Sequence, residues 1–464
     1  AATAELLSRR LGLVDDWFDG FHAFNLLLGA LFVPVWFRFL LRHLGETEAL
    51  LGVLLPFTAP RIVVELLANT KDFPLMVLFA LSAVLFFDAW QRGSLAGMVG
   101  AGVLGGAALA TKANALFLPP ILLLVVLAAR PPDPFTQRRD RLRLARALVA
   151  AAVAGAAVFL ASWPYLWAAP VERLTRHFEY IAGQVGQVRP ESLLSPLLAV
   201  LYTTPIPWLV LAALGLVPAV RGALRREALP LLVLAWVAVT LGRMYLPGAV
   251  NFDGVRHFLE LFPALAILGA MGGAYAVRLL DRVRSRWPAI RAPERRAQRL
   301  LAVTVLLVAI VPQAWATVRS HPHQIAYWNA LVGGTSGAFA RGLPQAGDYW
   351  ALGYRQGLAW LAEHAEPNSF LAVPVVEHAV LAVAQTRLRS DIGLLHTSVP
   401  VTPEIPPDVV DRVRRLGRER VVYVMFTIRE DWTNELIEDC RARLSPIAEW
   451  SLDGAPLVQI YRYR

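Results

Sequence analysis

The stretch Asp72-Phe73-Pro74-Leu75-Met76-Val77-Leu78-Phe79-Ala80-Leu81-Ser82-Ala83-Val84-Leu85-Phe86-Phe87-Asp88-Ala89-Trp90 is followed, after Gln91 to Ser94, by a Gly/Ala-rich run over 95–112. Each part has about the length at which an apolar helix crosses a bilayer. Arg92 stands at the junction, while Lys71 and Lys112 stand at the two far ends. Folded as an antiparallel pair, the two runs put Arg92 on one membrane face and both lysines on the other. Asp72 falls in the first turn of its helix, where the dipole favours a carboxylate, and Pro74 suits the same turn.

Working outward, the same scan predicts ten spans: 22–42, 49–66, 72–90, 95–112, 114–129, 146–167, 194–220, 228–247, 257–278 and 299–318. The composition agrees. In 464 residues, 56% are apolar and only 17% charged, with a mean hydropathy of +0.49. This excludes a disordered or fibrous chain and argues against an ordinary soluble enzyme, in which about 25% charged is usual. Under strict alternation, Arg42, Arg92, the block Arg130 to Arg146, Arg221 with Arg225 and Arg226, and the block Arg278 to Arg299 share one side. By the positive-inside rule that side is cytoplasmic. The formal charge of +10 is therefore mainly topogenic, and no nucleic-acid partner is expected.

The opposite side receives residues 1–21, 67–71, 113, 168–193, 248–256 and everything beyond 318. The expected organisation is a polytopic α-helical membrane protein of about ten transmembrane helices over 1–318 with a soluble extracytoplasmic α/β domain over 319–464. In that tail, 369–376, 421–427 and 446–462 read as strands, the last turning at Asp453-Gly454. Segments 350–365, 407–418 and 430–443 have helical spacing. The 168–193 loop reads as an amphipathic interfacial helix, and Trp163, Tyr165, Trp167, Tyr202 and Trp208 as an interfacial aromatic belt. The single cysteine, Cys440, excludes an internal disulfide framework and reads as a packing residue. His321 and His323 lack a third ligand at metal-site spacing. Gly333-Gly334 lacks the flanks of a phosphate loop and reads as a turn.

Ionisable residues gather at the lysine-bearing ends: His22, Arg61, Glu65, Lys71, Asp72, Lys112, Asp253, Arg256 and His257. Singly, each reads as an interfacial anchor or a helix start. Together they supply a hard oxygen ligand for Mg²⁺ or Mn²⁺ at Asp72 and several cations for a phosphate at bilayer level.

Asn69-Thr70-Lys71-Asp72-Phe73-Pro74, Thr111-Lys112 after a Gly/Ala-rich helix, and Asp253-Gly254-Val255-Arg256-His257 with Pro263 resemble segments of bacterial GT-C glycosyltransferases. The likeness is to the protein O-mannosyltransferase and aminoarabinose-transferase type. The run His321 to Asn329, with Val332-Gly333-Gly334 and Asp348-Tyr349-Trp350, is similar to another segment of these proteins. The resemblance implies a GT-C-like fold in a bacterial inner membrane. It also implies inverting transfer of a sugar from a polyprenyl-phosphate donor to a glycan, lipid or protein acceptor on the extracytoplasmic face. It assigns Asp72 to the metal or donor phosphate, with Lys71, Lys112, Arg61, Arg256 and His257 as phosphate contacts. In the family a first helix precedes an acidic first loop that carries the proposed base. Here the chain starts at Ala1 within what would be that loop; Asp15, Asp16 and Asp19 lie later than the family's acidic pair and read mainly as interfacial or helix-capping residues, with Asp15 or Asp16 the ones that could serve as base. A transporter or lipid flippase would need mid-helix charges and an internal repeat. A non-catalytic scaffold would bind the donor without turnover.

Overall fold

Over their described residues all ten apolar segments are mainly helical in the computed structural model, which describes residues 10–12, 17–185, 194–246, 249, 253–286, 294–343, 345–381, 383, 387–397, 404–429 and 432–463. The first helices are α1 (Trp17–His43), α2 (Glu46–Phe57), α3 (Pro60–Ala68), α4 (Asp72–Arg92), α5 (Leu95–Thr111) and α6 (Leu118–Ala128). They are followed by α7 (Arg138–Ser162), α8 (Pro170–Val185), α9 (Ser195–Thr203), α10 (Ile206–Leu224), α11 (Ala228–Gly242), α12 (Phe262–Ser285) and α13 (Glu294–Arg319).

Seven helices among the described residues are long and apolar enough to cross a membrane, or eight if the α2–α3 pair counts as one span. The expected ten is reduced for local reasons. The segment read as 49–66 is bent by 64° between α2 and α3, where Thr58-Ala59-Pro60 interrupts the helix and Pro60 takes the first position of α3. Gln313 secures the bend, donating to Leu55 O at 2.9 Å and to the Thr58 hydroxyl. At 1.5 Å per residue α5 is only about 25 Å long, and α6 starts anew after a 3₁₀ turn at Ala113–Phe117. The segment read as 194–220 splits into α9 and α10 at Thr204-Pro205.

Burial sorts the helices in a way that hydropathy could not. In the spans Asp72–Arg92 and Gly254–Ser285, 83% of the apolar window is buried, against 11% for Asp140–Ser162 and 17% for Arg295–Arg319. So α4 and α12 are inner helices, and α7 and α13 present their apolar sides outward. Association in a bilayer depends on close backbone approach rather than on a hydrophobic drive, and two glycine contacts provide it. A Cβ on Gly102 or Gly106 of α5 would lie 2.1 or 2.2 Å from the carbonyls of Ala151 and Gly155 on α7. One on Gly215 of α10 or Gly272 of α12 would lie 1.9 or 1.8 Å from carbonyls of the partner helix. Trp208, expected in the aromatic belt, is fully buried and donates its indole N–H to Leu265 O at 3.1 Å. Trp167, in contrast, is 63% exposed. The 168–193 segment forms α8, with exposed Val171, Phe178 and Tyr180; residues 186–193 lie outside the described ones.

The chain separates into two units, Ala1–Ala316 and Thr317–Arg464. The second is built on a sheet of five strands: β1 (Phe370–Ala372), β2 (Gly393–Leu395), β3 (Val422–Thr427), β4 (Ala448–Leu452) and β5 (Ala455–Tyr463). They run in the order β2-β1-β3-β5-β4, parallel from β2 to β3 and antiparallel beyond. Asp453 and Gly454, at φ 50° and 82°, make the β4–β5 hairpin turn, the positive-φ pair that a two-residue hairpin requires. Helices Tyr354–His364 and Glu435–Arg443 fall within the segments read as helical, and Val409–Glu419 runs one residue past its segment. β2 was not read from the sequence.

Candidate active site

The site grows from Asn69, the residue that ends α3 and sets up α4. Its backbone N–H donates to Glu65 O at 3.0 Å. Its side-chain oxygen receives the N–H groups of Lys71 at 3.1 Å and Asp72 at 2.8 Å, which satisfies donors left over at the start of α4. Its side-chain amide donates to Glu65 Oε2 at 2.5 Å and to Asp72 Oδ2 at 2.9 Å. Asn25 of α1 holds the loop by donating to Asn69 O at 2.8 Å. One amide thus ties two buried carboxylates together, Glu65 at 0% and Asp72 at 2% exposure.

Lys112 arrives from the end of α5. Its Nζ lies 2.5 Å from Asp72 Oδ1, an ion pair with side chains 13% and 2% exposed. An ammonium has three donors. Asp72 is the one partner of the Lys112 ammonium among the described residues. Around this pair, Glu65 lies close enough to feel the charges of Asp72, Arg256 and Arg61. His257 is within similar reach of Lys112, Arg256, Arg243 and Lys71. Arg61 is buried one turn before Glu65 on α3, and Lys71 is exposed. Arg256 pairs with Asp253 at 2.7 Å, and Asp253 and Gly254 adopt the left-handed conformation, φ 56° and 67°, that turns the chain into this segment.

The structure therefore gathers Arg61, Lys71, Asp72, Lys112, Arg256 and His257 at one end of the bundle. Asp15 and Asp16 lie outside the described residues. A further buried pair had not been singled out as a site: Arg243 bonds Glu260 at 2.5 Å and also donates to His257 O. Trp236 donates to Glu260 O at 2.8 Å, and Asn114 to His257 O at 2.7 Å. These contacts fix the backbone that carries His257. The available signal was a carboxylate within an apolar run, Phe258-Leu259-Glu260-Leu261.

A divalent cation of the Mg²⁺ or Mn²⁺ kind takes about six oxygen ligands. No group of three His, Cys, Asp or Glu side chains able to hold a metal occurs among the described residues. Asp72, the expected ligand, has one oxygen on the Lys112 ammonium and the other on the Asn69 amide. This donor set does not fit a metal centre. It fits a cation-rich cluster with an internal counter-ion, suited to an anionic group.

Residues 13–167 match the family described as dolichyl-phosphate-mannose-protein mannosyltransferase. No curated protein matches the chain. Among solved structures, ArnT from Cupriavidus metallidurans bound to undecaprenyl phosphate aligns with a TM-score of 0.50 at 15% identity, over 99% of this chain and 86% of that one. The apo state of the same enzyme gives 0.50 at 16%, with the same coverage. The oligosaccharyltransferase of Archaeoglobus fulgidus in its apo form gives 0.47 at 12%, over 89% and 59% of the two chains. By fold along nearly its whole length, and by sequence over residues 13–167, this multi-pass chain resembles the GT-C membrane glycosyltransferases of the protein O-mannosyltransferase and ArnT type.

Proposed function

We propose that the chain is a membrane glycosyltransferase that moves a sugar from a polyprenyl-phosphate donor to a glycan, lipid or protein acceptor, on the extracytoplasmic face of a bacterial inner membrane. The observation that carries this reading is the Asp72–Lys112 pair, set among Lys71, Arg61, Arg256 and His257 at one end of an ArnT-like bundle. That ArnT was captured with undecaprenyl phosphate supports a lipid-linked donor here.

The reaction is a direct displacement. An acceptor oxygen attacks the anomeric carbon, the bond from that carbon to the phosphate oxygen breaks, and the leaving polyprenyl phosphate keeps the electron pair. Configuration inverts in a single displacement of this kind. The acceptor proton passes to a carboxylate, for which the first loop offers Asp15 or Asp16. Negative charge grows on the phosphate, and Lys112, Lys71 and Arg256 stabilise it in a partly desolvated place where fixed cations act strongly. Asp72 orients Lys112. The residues described above place no metal in this step.

Asp72→Asn in the full-length chain removes the counter-ion while keeping the shape. Transfer from a polyprenyl-phosphate sugar, followed in proteoliposomes, should fall at least about 100-fold, with membrane insertion and gel-filtration behaviour retained. Turnover at the wild-type rate would sink the assignment.

A further inference from the structure

A second built feature lies at the other end of α1 and α4. Asp88 is 16 residues beyond Asp72 on one helix, or about 24 Å at 1.5 Å per residue, and so belongs to the arginine-rich face. Between the two helices is a cavity of about 400 Å³, walled by Val35, Phe39 and Leu85 and rimmed by Arg38, Arg42 and Arg92. Asp88 accepts from Arg42 at 2.6 Å, His43 at 2.7 Å and Arg92 at 3.1 Å.

Three guanidiniums thus line the cavity with one carboxylate, a surplus of two formal positive charges. Arg38 sits within the apolar span His22–His43 rather than on a loop, and it makes no ion pair among the described residues. A topogenic arginine needs only water, and a snorkelling one needs only the interface. Neither requirement explains why Arg38 shares a cavity with two more guanidiniums above a wall of exposed Val35 and half-buried Leu85. An apolar slot at acyl depth below a cationic rim matches an amphiphile with a phosphate head, the group that guanidinium forks bind bidentately.

We propose that this cleft binds an anionic phospholipid of the arginine-side leaflet, its phosphodiester against Arg38 and Arg42 and one acyl chain along Val35 and Leu85. The site is independent of the sugar-transfer reading, because it shares no residue with the Asp72 cluster.

The test is native mass spectrometry of the full-length chain in detergent, titrated with dioleoyl phosphatidylglycerol, dioleoyl phosphatidylcholine or glycerol 3-phosphate. Two surplus charges should favour phosphatidylglycerol over phosphatidylcholine by about tenfold or more. Arg38→Gln should weaken phosphatidylglycerol about fivefold and narrow its preference over phosphatidylcholine, whose choline cation offsets its phosphodiester, while Arg141→Gln, at an exposed arginine elsewhere on the same face, should change neither lipid's binding. Val35→Trp, which fills the acyl slot without touching charge, should also weaken phosphatidylglycerol and keeps the test open should Arg38→Gln misfold. Equal binding of the two lipids, equal effects of Arg38→Gln and Arg141→Gln, or glycerol 3-phosphate competing as well as the whole lipid would each overturn the proposal.

Discussion

At Lys112 an ammonium is held in a nearly closed place by one carboxylate, and the two cannot be separated cheaply. Lys112→Met leaves Asp72 buried beside Glu65 without its cation, so the phosphate loses a donor and the carboxylates repel. Transfer should drop about 100-fold or more. Lys112→Arg should restore little of it, because a planar fork cannot replace a compact point charge between Asp72 and an incoming phosphate. A rate assay on both variants decides, and full activity with arginine would contradict the role given to this residue. Lysine was legible here because the chain otherwise uses arginine, which made Lys71 and Lys112 stand out. Glu260 stood out only as a carboxylate in an apolar run; its pairing was not legible, because Arg243 lies 17 positions away and only the fold brings them together. Asn69 was quoted as part of a motif, but its hold on both carboxylates depends on the turn between α3 and α4.

Among the elements, the α5–α7 contact is the most exacting. The backbone of Gly106 passes so close to Gly155 that any side chain on α5 at that level must push the helices apart. Gly102→Leu should therefore reduce the folded, monodisperse yield sharply and lower the melting temperature in detergent. Gly242→Ala, where nothing lies within 4 Å of the added atom, should shift stability by less than about 1 kcal/mol. Equal melting of the two variants would show that the close approach is dispensable. The helices were readable as apolar runs, but their breaks were not, because a window average passes over Thr58-Ala59-Pro60 and Thr204-Pro205. Trp208 was misplaced for a related reason: hydropathy locates a residue along a helix, not around it. In the second unit the β4–β5 hairpin was legible from Asp453-Gly454, whereas β2 has only three residues, Gly393–Leu395, too few to show alternation.

For the molecule as a whole, the arginine distribution makes a topological claim that the fold lets one check cleanly. Cys440, the only cysteine, is fully buried, and burial pushes its thiol up to about 12, so it should stay silent to thiol reagents. Single cysteines introduced by Arg141→Cys and Arg225→Cys should then label from one membrane face, and Arg176→Cys from the other, all three positions being exposed. Labelling of all three from one side would break the alternation on which the side of the Asp72 cluster rests. The length of α5 bears on the bilayer around it. Lys112 ends a helix about 5 Å shorter than the hydrocarbon it would cross, and a bilayer meets such a mismatch by thinning. The membrane should therefore be dimpled beside α5, so that a polyprenyl carrier drifting in the leaflet is lowered to the depth of the ammonium without pulling its chain out of the lipid.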